Sequence, residues 1–177
     1  MDGISTDLTQ QLEHHQLDFC IISAREGNHS WLPLCQDPLL AVVPANRPLA
    51  ANSTVSLEAL LPEPYIQTCP GQDIDSIRFF QNRGVRPNMQ FSTMDIQATY
   101  AMVGAGLGYA VSNQINSNFA NPSVRHRRID PPELIEIGLA YNEPPSPAAN
   151  AFLKFILDSD LTPQHVEPHC FWGNDGV

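Results

Sequence analysis

Basic residues are scarce in this 177-residue chain: nine Lys and Arg stand against 19 Asp and Glu, a net charge of −10. Such a chain repels a phosphate backbone on average, so these residues do not carry the footprint of a nucleic-acid binder. Long apolar runs are missing too. No stretch approaches the roughly 20 residues that cross a bilayer, and the opening Met1-Asp2-Gly3-Ile4 has neither the basic region nor the apolar run of a secretory leader. No membrane partner is expected. Cysteines are few (Cys20, Cys35, Cys69 and Cys170) and none are spaced as C-x-x-C. A disulfide framework or structural zinc is therefore not expected, and the thiols read as free in a reducing, cytoplasmic setting. His165, His169 and Cys170 share the tail without the surrounding ligands a metal site needs. Catalytic signatures are also lacking. There is no G-x-S-x-G, no H-E-x-x-H and no Gly-rich phosphate loop after a strand. The expectation is no catalytic residue, no metal and no cofactor.

What is present suffices for a packed domain. Hydrophobic residues make up 42% and charged residues 16%, enough apolar surface to offset the ordering entropy. Sixteen Pro against ten Gly suggest many short, firmly punctuated elements. Residues 5–17 place Leu8 and Leu12 one turn apart, with Ser5 or Thr6 available as a helix cap. Residues 19–22 and 39–43 are continuous apolar runs of the kind buried in parallel sheets. Ser56 caps a short helix ended by Pro62 and Pro64, and 65–68 is a strand. The turn Cys69-Pro70-Gly71-Gln72-Asp73 opens a helix bearing Ile74, Ile77 and Phe80, stopped by Gly84. After a strand at 89–92, Thr93-Met94-Asp95 opens another helix with Ile96, Tyr100 and Val103 on one side. Gly104, Gly106 and Gly108 close it against a strand at 109–111. Two more strands follow at 124–129 and 134–141. Arg125, His126, Arg127 and Arg128 read as a charged edge strand. Pro147 starts a last helix whose apolar face is Phe152, Phe155 and Ile156.

Strand and helix alternate, which predicts an α/β fold with mostly parallel sheets. Breaks at Val43-Pro44 and Asn121-Pro122 predict two lobes joined by a double-stranded hinge: 1–43, 44–122, a return over 123–160, and a tail at 161–177. Hinged lobes of this kind close around ligands.

Four segments, in order, carry a family resemblance. They are Leu17-Asp18-Phe19-Cys20-Ile21-Ile22; Pro38-Leu39-Leu40-Ala41-Val42-Val43-Pro44 with Arg47-Pro48-Leu49-Ala50; Asp95-Ile96-Gln97-Ala98-Thr99-Tyr100-Ala101-Met102-Val103-Gly104-Ala105-Gly106-Leu107-Gly108; and Ser146-Pro147-Ala148-Ala149 with Phe152-Leu153-Lys154-Phe155. Together they resemble the effector-binding domain of LysR-type transcriptional regulators. The resemblance implies a two-lobe, periplasmic-binding-protein-like (type 2) fold that binds a small molecule between its lobes. It implies a homodimer or homotetramer, and contact with DNA only through a winged helix-turn-helix lying outside these residues. The family's first β-α-β unit is also without a counterpart, so the fold is expected in N-terminally truncated form.

The site is expected where two helices begin directly after strand ends. Helix starts present unpaired amides and the positive end of the dipole, which suit a carboxylate or other small anion. Thr68, Cys69, Gly71, Gln72, Ser92, Thr93 and Met94 are the candidate ligand-binding residues. Thr68 and Thr93 are equally readable as local caps, and Asp95 is better read as a cap, since its charge opposes an anion. Cys69 stands where the family's peroxide-sensing branch carries a reactive thiol, but no resolving Cys follows closely. Two other functions share the scaffold: a solute-binding transport protein, and a small dehydratase-like enzyme.

Overall fold

The structure, a computed structural model, describes residues 4–118 and 121–159; the 161–177 tail with its two His and Cys170 lies outside the described residues. In chain order the elements are α1 (Ser5–Glu13), β1 (Phe19–Ser23), β2 (Ser30–Pro44), β3 (Thr54–Ser56), α2 (Leu57–Leu60), β4 (Pro64–Thr68), α3 (Asp75–Asn82), β5 (Asn88–Thr93), α4 (Ile96–Gly104), β6 (Ala110–Asn113), β7 (Val124–Asp130), β8 (Leu134–Tyr141) and α5 (Pro147–Asp158). They form two compact units, Met1–Asp37 with Ile135–Val177, and Pro38–Leu134.

The first unit is built on α1. Leu8 and Leu12 fall on its buried stripe and pack with Cys20, Ile22 and Ala140. Leu12 is fully buried, a contribution of about 1.5–3 kcal/mol for such a side chain. The expected cap does not form. Ile4 holds the cap position without a side-chain bond, because the Ser5 hydroxyl is engaged across the unit with Ser23, 2.9 Å away. β1 pairs antiparallel with β8, from Phe19↔Tyr141 to Ser23↔Ile137. Ser146 accepts from the Ala149 amide and Pro147 occupies the first turn of α5, the position where its missing N–H costs nothing. The predicted apolar face of α5 is partly wrong. Ala149 and Ile156 are buried and Phe152 stacks on Phe19 at 4.6 Å, while Phe155 is 60% exposed.

The second unit holds the last residues of β2, which pair antiparallel with β6 (Leu39↔Asn113) and with β7 (Pro44↔Val124). β3 joins β7 in parallel, and β4 and β5 form a separate parallel pair. The sheets are therefore mixed, not mostly parallel. Apolar runs such as 39–43 signal burial on both faces, and burial does not specify strand direction. Nor is the basic cluster an edge strand, since β7 lies between β2 and β3. Arg127 is tied locally, donating through Nε and Nη2 to the Ala50 carbonyl at 3.0 and 2.7 Å, while Arg125 and Arg128 are exposed. The core gathers Val42, Ile66, Tyr100, Val103, Ala110 and Val124. Gly108 is required by close approach, since a Cβ there would lie 2.2 Å from the Pro64 carbonyl oxygen.

The chain passes between the units at Asp37/Pro38 and at Leu134/Ile135. Val43 and Pro44 lie inside the second unit at the end of β2, and Asn121 and Pro122 lie just before β7. Pro44 marks the end of a strand, where a residue without an N–H is tolerated.

Candidate functional site

The candidate site is built on the second unit's parallel pair. β4 and β5 run in register from Ile66↔Phe91 to Thr68↔Thr93, so both strands end at one level and both strand-to-helix turns open there. That is the carboxyl edge of the sheet, where ligands of α/β proteins settle. The two following helices take opposite faces. Tyr65 meets Phe80 of α3 with ring centroids 5.1 Å apart, while Ile66 packs with Tyr100 of α4.

The α4 side is a closed hydroxyl cluster. Thr99 Oγ1 lies 2.8 Å from Thr68 Oγ1 and 2.8 Å from Thr93 Oγ1. Thr93 donates to the Asp95 carbonyl at 2.8 Å, and its oxygen accepts the Asp95 amide. Asp95 caps α4 as its charge suggested, accepting the Ala98 amide at 2.8 Å. Helix geometry leaves the Ile96 and Gln97 amides without an intrahelical partner. Thr68 and Thr93 thus serve first as local anchors. Thr99, fully buried, is the residue that sequence reasoning missed. Its signal was a threonine one turn after the Asp95 cap.

The α3 side is a turn. Cys69 has φ +47 and Gly71 φ +81, and the Cys69 amide donates to the Thr93 carbonyl at 2.7 Å. This bond ties the first turn to the end of the neighbouring strand. Cys69 Sγ lies 3.6 Å from the Met94 carbonyl. The Gln72 amide closes the turn on the Cys69 carbonyl at 3.3 Å. No side chain caps α3. Ser92, one residue from Thr93, is exposed on the strand face opposite the hydroxyl cluster. Met94 is 66% exposed. The structure therefore brings Thr68, Cys69, Thr93 and Met94 together, sets Gly71 and Gln72 beside them, and turns Ser92 away.

Charge restricts what can bind. Asp75 lies in the first turn of α3 and accepts from Asn113 Nδ2 at 3.3 Å. Asp73 pairs with Arg78 at 3.2 Å on the surface, and Asp95 is spent on α4. With Asp73 countered by Arg78, it is Asp75 and Asp95 that offset part of the positive potential of the two helix starts.

Behind α4, the Tyr100 hydroxyl reaches Ser112 Oγ at 3.3 Å, the Asn116 carbonyl at 3.4 Å and His126 Nε2 at 3.1 Å. Burial, helped by the neighbouring Arg127 charge, holds the His126 pKa below its usual value. In the first unit a polar cavity of about 320 Å³ is lined by Glu13, His15, His29, Asn142 and Glu143, among others. No group of three His, Cys, Asp or Glu suited to a metal converges among the described residues. Among them, too, no helix is long and apolar enough to cross a membrane.

The fold is that of a LysR-type effector-binding domain, and the chain belongs to the LysR substrate binding domain family, whose model matches residues 2–160. The effector binding domain of QuiR in complex with shikimate superposes with a TM-score of 0.75 at 25% identity, covering 88% of this chain and 78% of that one. The regulatory domain of Synechocystis PCC6803 CcmR in complex with 2-PG has the same fold, with a TM-score of 0.76 at 19% identity, over 88% of this chain and 79% of that one. Among curated proteins, the uncharacterized HTH-type transcriptional regulator YybE of Bacillus subtilis (strain 168) is 24% identical over 159 residues, 85% of this chain and 53% of that protein. YvbU of the same organism, with the same description, is 24% identical over 142 residues, 78% and 48% respectively. The chain spans about half the length of these curated relatives.

Proposed function

We propose that this domain is the effector sensor of a LysR-type transcriptional regulator and does not catalyse a reaction. Its ligand is a small metabolite that binds at the carboxyl ends of β4 and β5. The observation that supports this most is the Thr68↔Thr93 register pair, which opens two helix starts at one level. The amides of the first turn of α4 and the Cys69–Gln72 turn receive the ligand, and the threonine cluster keeps them in place. Because Asp75 and Asp95 stand at the two helix starts, the ligand carries at most one carboxylate, with hydroxyls making its other bonds. QuiR's domain, crystallised with shikimate, fits that class.

Binding favours one conformation of the domain over another, which is the physical requirement for a signal. In the whole regulator the signal passes to a DNA-binding domain through a homodimer or homotetramer in the cytoplasm. A thermal-shift panel tests the reading. It should contain hydroxylated monocarboxylates (shikimate among them), aromatic acids, dicarboxylates and neutral polyols. A true ligand at about 100 times its Kd raises Tm by roughly 5–10 °C. A panel in which no compound moves Tm would defeat the effector reading. A response confined to dicarboxylates would defeat the charge argument.

A further inference from the structure

Arg83 directly follows α3 as its C-terminal cap, and its side chain is tied on every side. Nη1 lies 2.6 Å from Glu133 Oε2, and Nη2 donates to the Pro132 carbonyl at 3.1 Å and the Pro131 carbonyl at 3.4 Å. The guanidinium stacks 4.2 Å over the Phe79 ring. The two partners are only 17% and 23% exposed, against 38% and 43% for the Arg78–Asp73 pair. The Arg83 pair is thus much less screened than an ordinary surface pair. The planar fork also makes contacts that a lysine cannot reproduce.

Glu133 has a second attachment. Its main-chain carbonyl accepts the Leu39 amide at 3.0 Å. Leu39 stands just inside the Asp37/Pro38 passage, and Glu133 just inside the Leu134/Ile135 passage. One residue is therefore fastened to α3 by its side chain and to both exits of the second unit by its main chain. At its other end, α3 begins beside the Cys69–Gln72 turn, with Asp75 bound to Asn113. An eight-residue helix is about 12 Å long, with Phe79 and Phe80 buried beneath it.

We propose that Arg83 and Glu133 are positioning residues that lock the C-terminal end of α3 to both passages out of the second unit, so that the setting of α3 at its ligand-facing start is felt at those passages. The inference rests on the proposed ligand site for its functional meaning, but its mechanical content holds without a ligand. The test is amide exchange at Leu39 by NMR, in the ligand-free chain, for wild type, Asp75→Asn, Arg83→Gln, the double variant, Arg83→Lys, and the charge swap Arg83→Glu/Glu133→Arg. The Ile22 amide in the first unit serves as the reference for global stability.

Arg83→Gln and Arg83→Lys should speed Leu39 exchange about three- to tenfold relative to Ile22, and the swap, which keeps the ion pair but loses the bonds to the Pro131 and Pro132 carbonyls and the stack on Phe79, should restore only part of the protection. Asp75→Asn should alter Leu39 exchange in the wild-type background and lose that effect when Arg83 is Gln, the signature of coupled sites. Leu39 exchange within about twofold of wild type in Arg83→Gln, or an Asp75→Asn effect of equal size in both backgrounds, would overturn the proposal. Because no ligand enters this experiment, a silent thermal-shift panel and a silent exchange cycle refute different statements.

Discussion

Thr68 and Thr99 face each other with hydroxyl oxygens 2.8 Å apart, although 31 positions separate them in the chain. The contact joins the end of β4 to the first turn of α4, and Thr93 closes the triangle from β5. The candidate site is thus preorganised by three neutral hydroxyls, which tie the ends of β4 and β5 to the start of α4.

Replacing Thr99 with Val keeps the volume and removes the hub of this cluster. Two partly buried hydroxyls then lose a partner, which should lower unfolding stability by about 1–3 kcal/mol in urea denaturation. Thr99→Ser keeps the hydroxyl and should stay within about 1 kcal/mol of wild type. Equal losses for Val and Ser would assign the effect to packing.

Gly108→Ala and Gly71→Ala should differ in size and cause. At Gly108 the added Cβ meets the Pro64 carbonyl at 2.2 Å, so backbone must move. A loss above about 2 kcal/mol is expected, in the range of severe packing strain. At Gly71 no atom lies within 4 Å, but φ is +81. The cost there is the left-handed conformation alone, about 1 kcal/mol. Paired urea melts of the two variants measure the difference.

His126 makes stability depend on pH. Its pKa is lowered in the folded state by burial and by Arg127, so below its ordinary value of about 6.5 the unfolded chain binds the proton more readily. Its contribution is complete above pH ~6.5 and is lost as pH falls from there toward the folded-state value. Urea melts across this window should show stability falling on acidification, and His126→Gln should flatten the slope. An unchanged slope in the variant would remove His126 from this role.

Thiol reactivity should divide along burial. Burial pushes the Cys20 thiol up to about 11, so it stays protonated near pH 8 and inaccessible. Cys69 is partly exposed and free. Alkylation of the native chain at pH 8, followed by peptide mapping, should label Cys69 readily and Cys20 only after denaturant is added. Early labelling of Cys20 would show that the β1 core opens under native conditions.

Much of the local order was legible without coordinates, because it depends on short-range chemistry. Ser56 and Asp95 cap the helices they precede, since an oxygen next to an unpaired amide acts within one turn. Gly84 and Gly106 take positive φ at helix ends, where a side chain would be strained. The apolar periodicities located nearly every element, and the ordered motifs between Leu17 and Phe155 pointed to the right family.

Tertiary structure alone decided strand direction, strand neighbours and the composition of the site. Alternation reports which face is buried, not which strand lies alongside. The mixed sheets and the interior place of β7 between β2 and β3 were therefore invisible in the 124–130 segment itself. Phe155 follows the helical period yet is 60% exposed: Phe152 takes the inner place against the Phe19 ring at 4.6 Å, and Phe155 stacks on the outer side of Phe152 at 6.3 Å. Thr99 and the Arg83–Glu133 pair unite residues 31 and 50 positions apart from their partners. Contacts at that separation exist only once loops have closed, and their energy depends on geometry that no local pattern encodes.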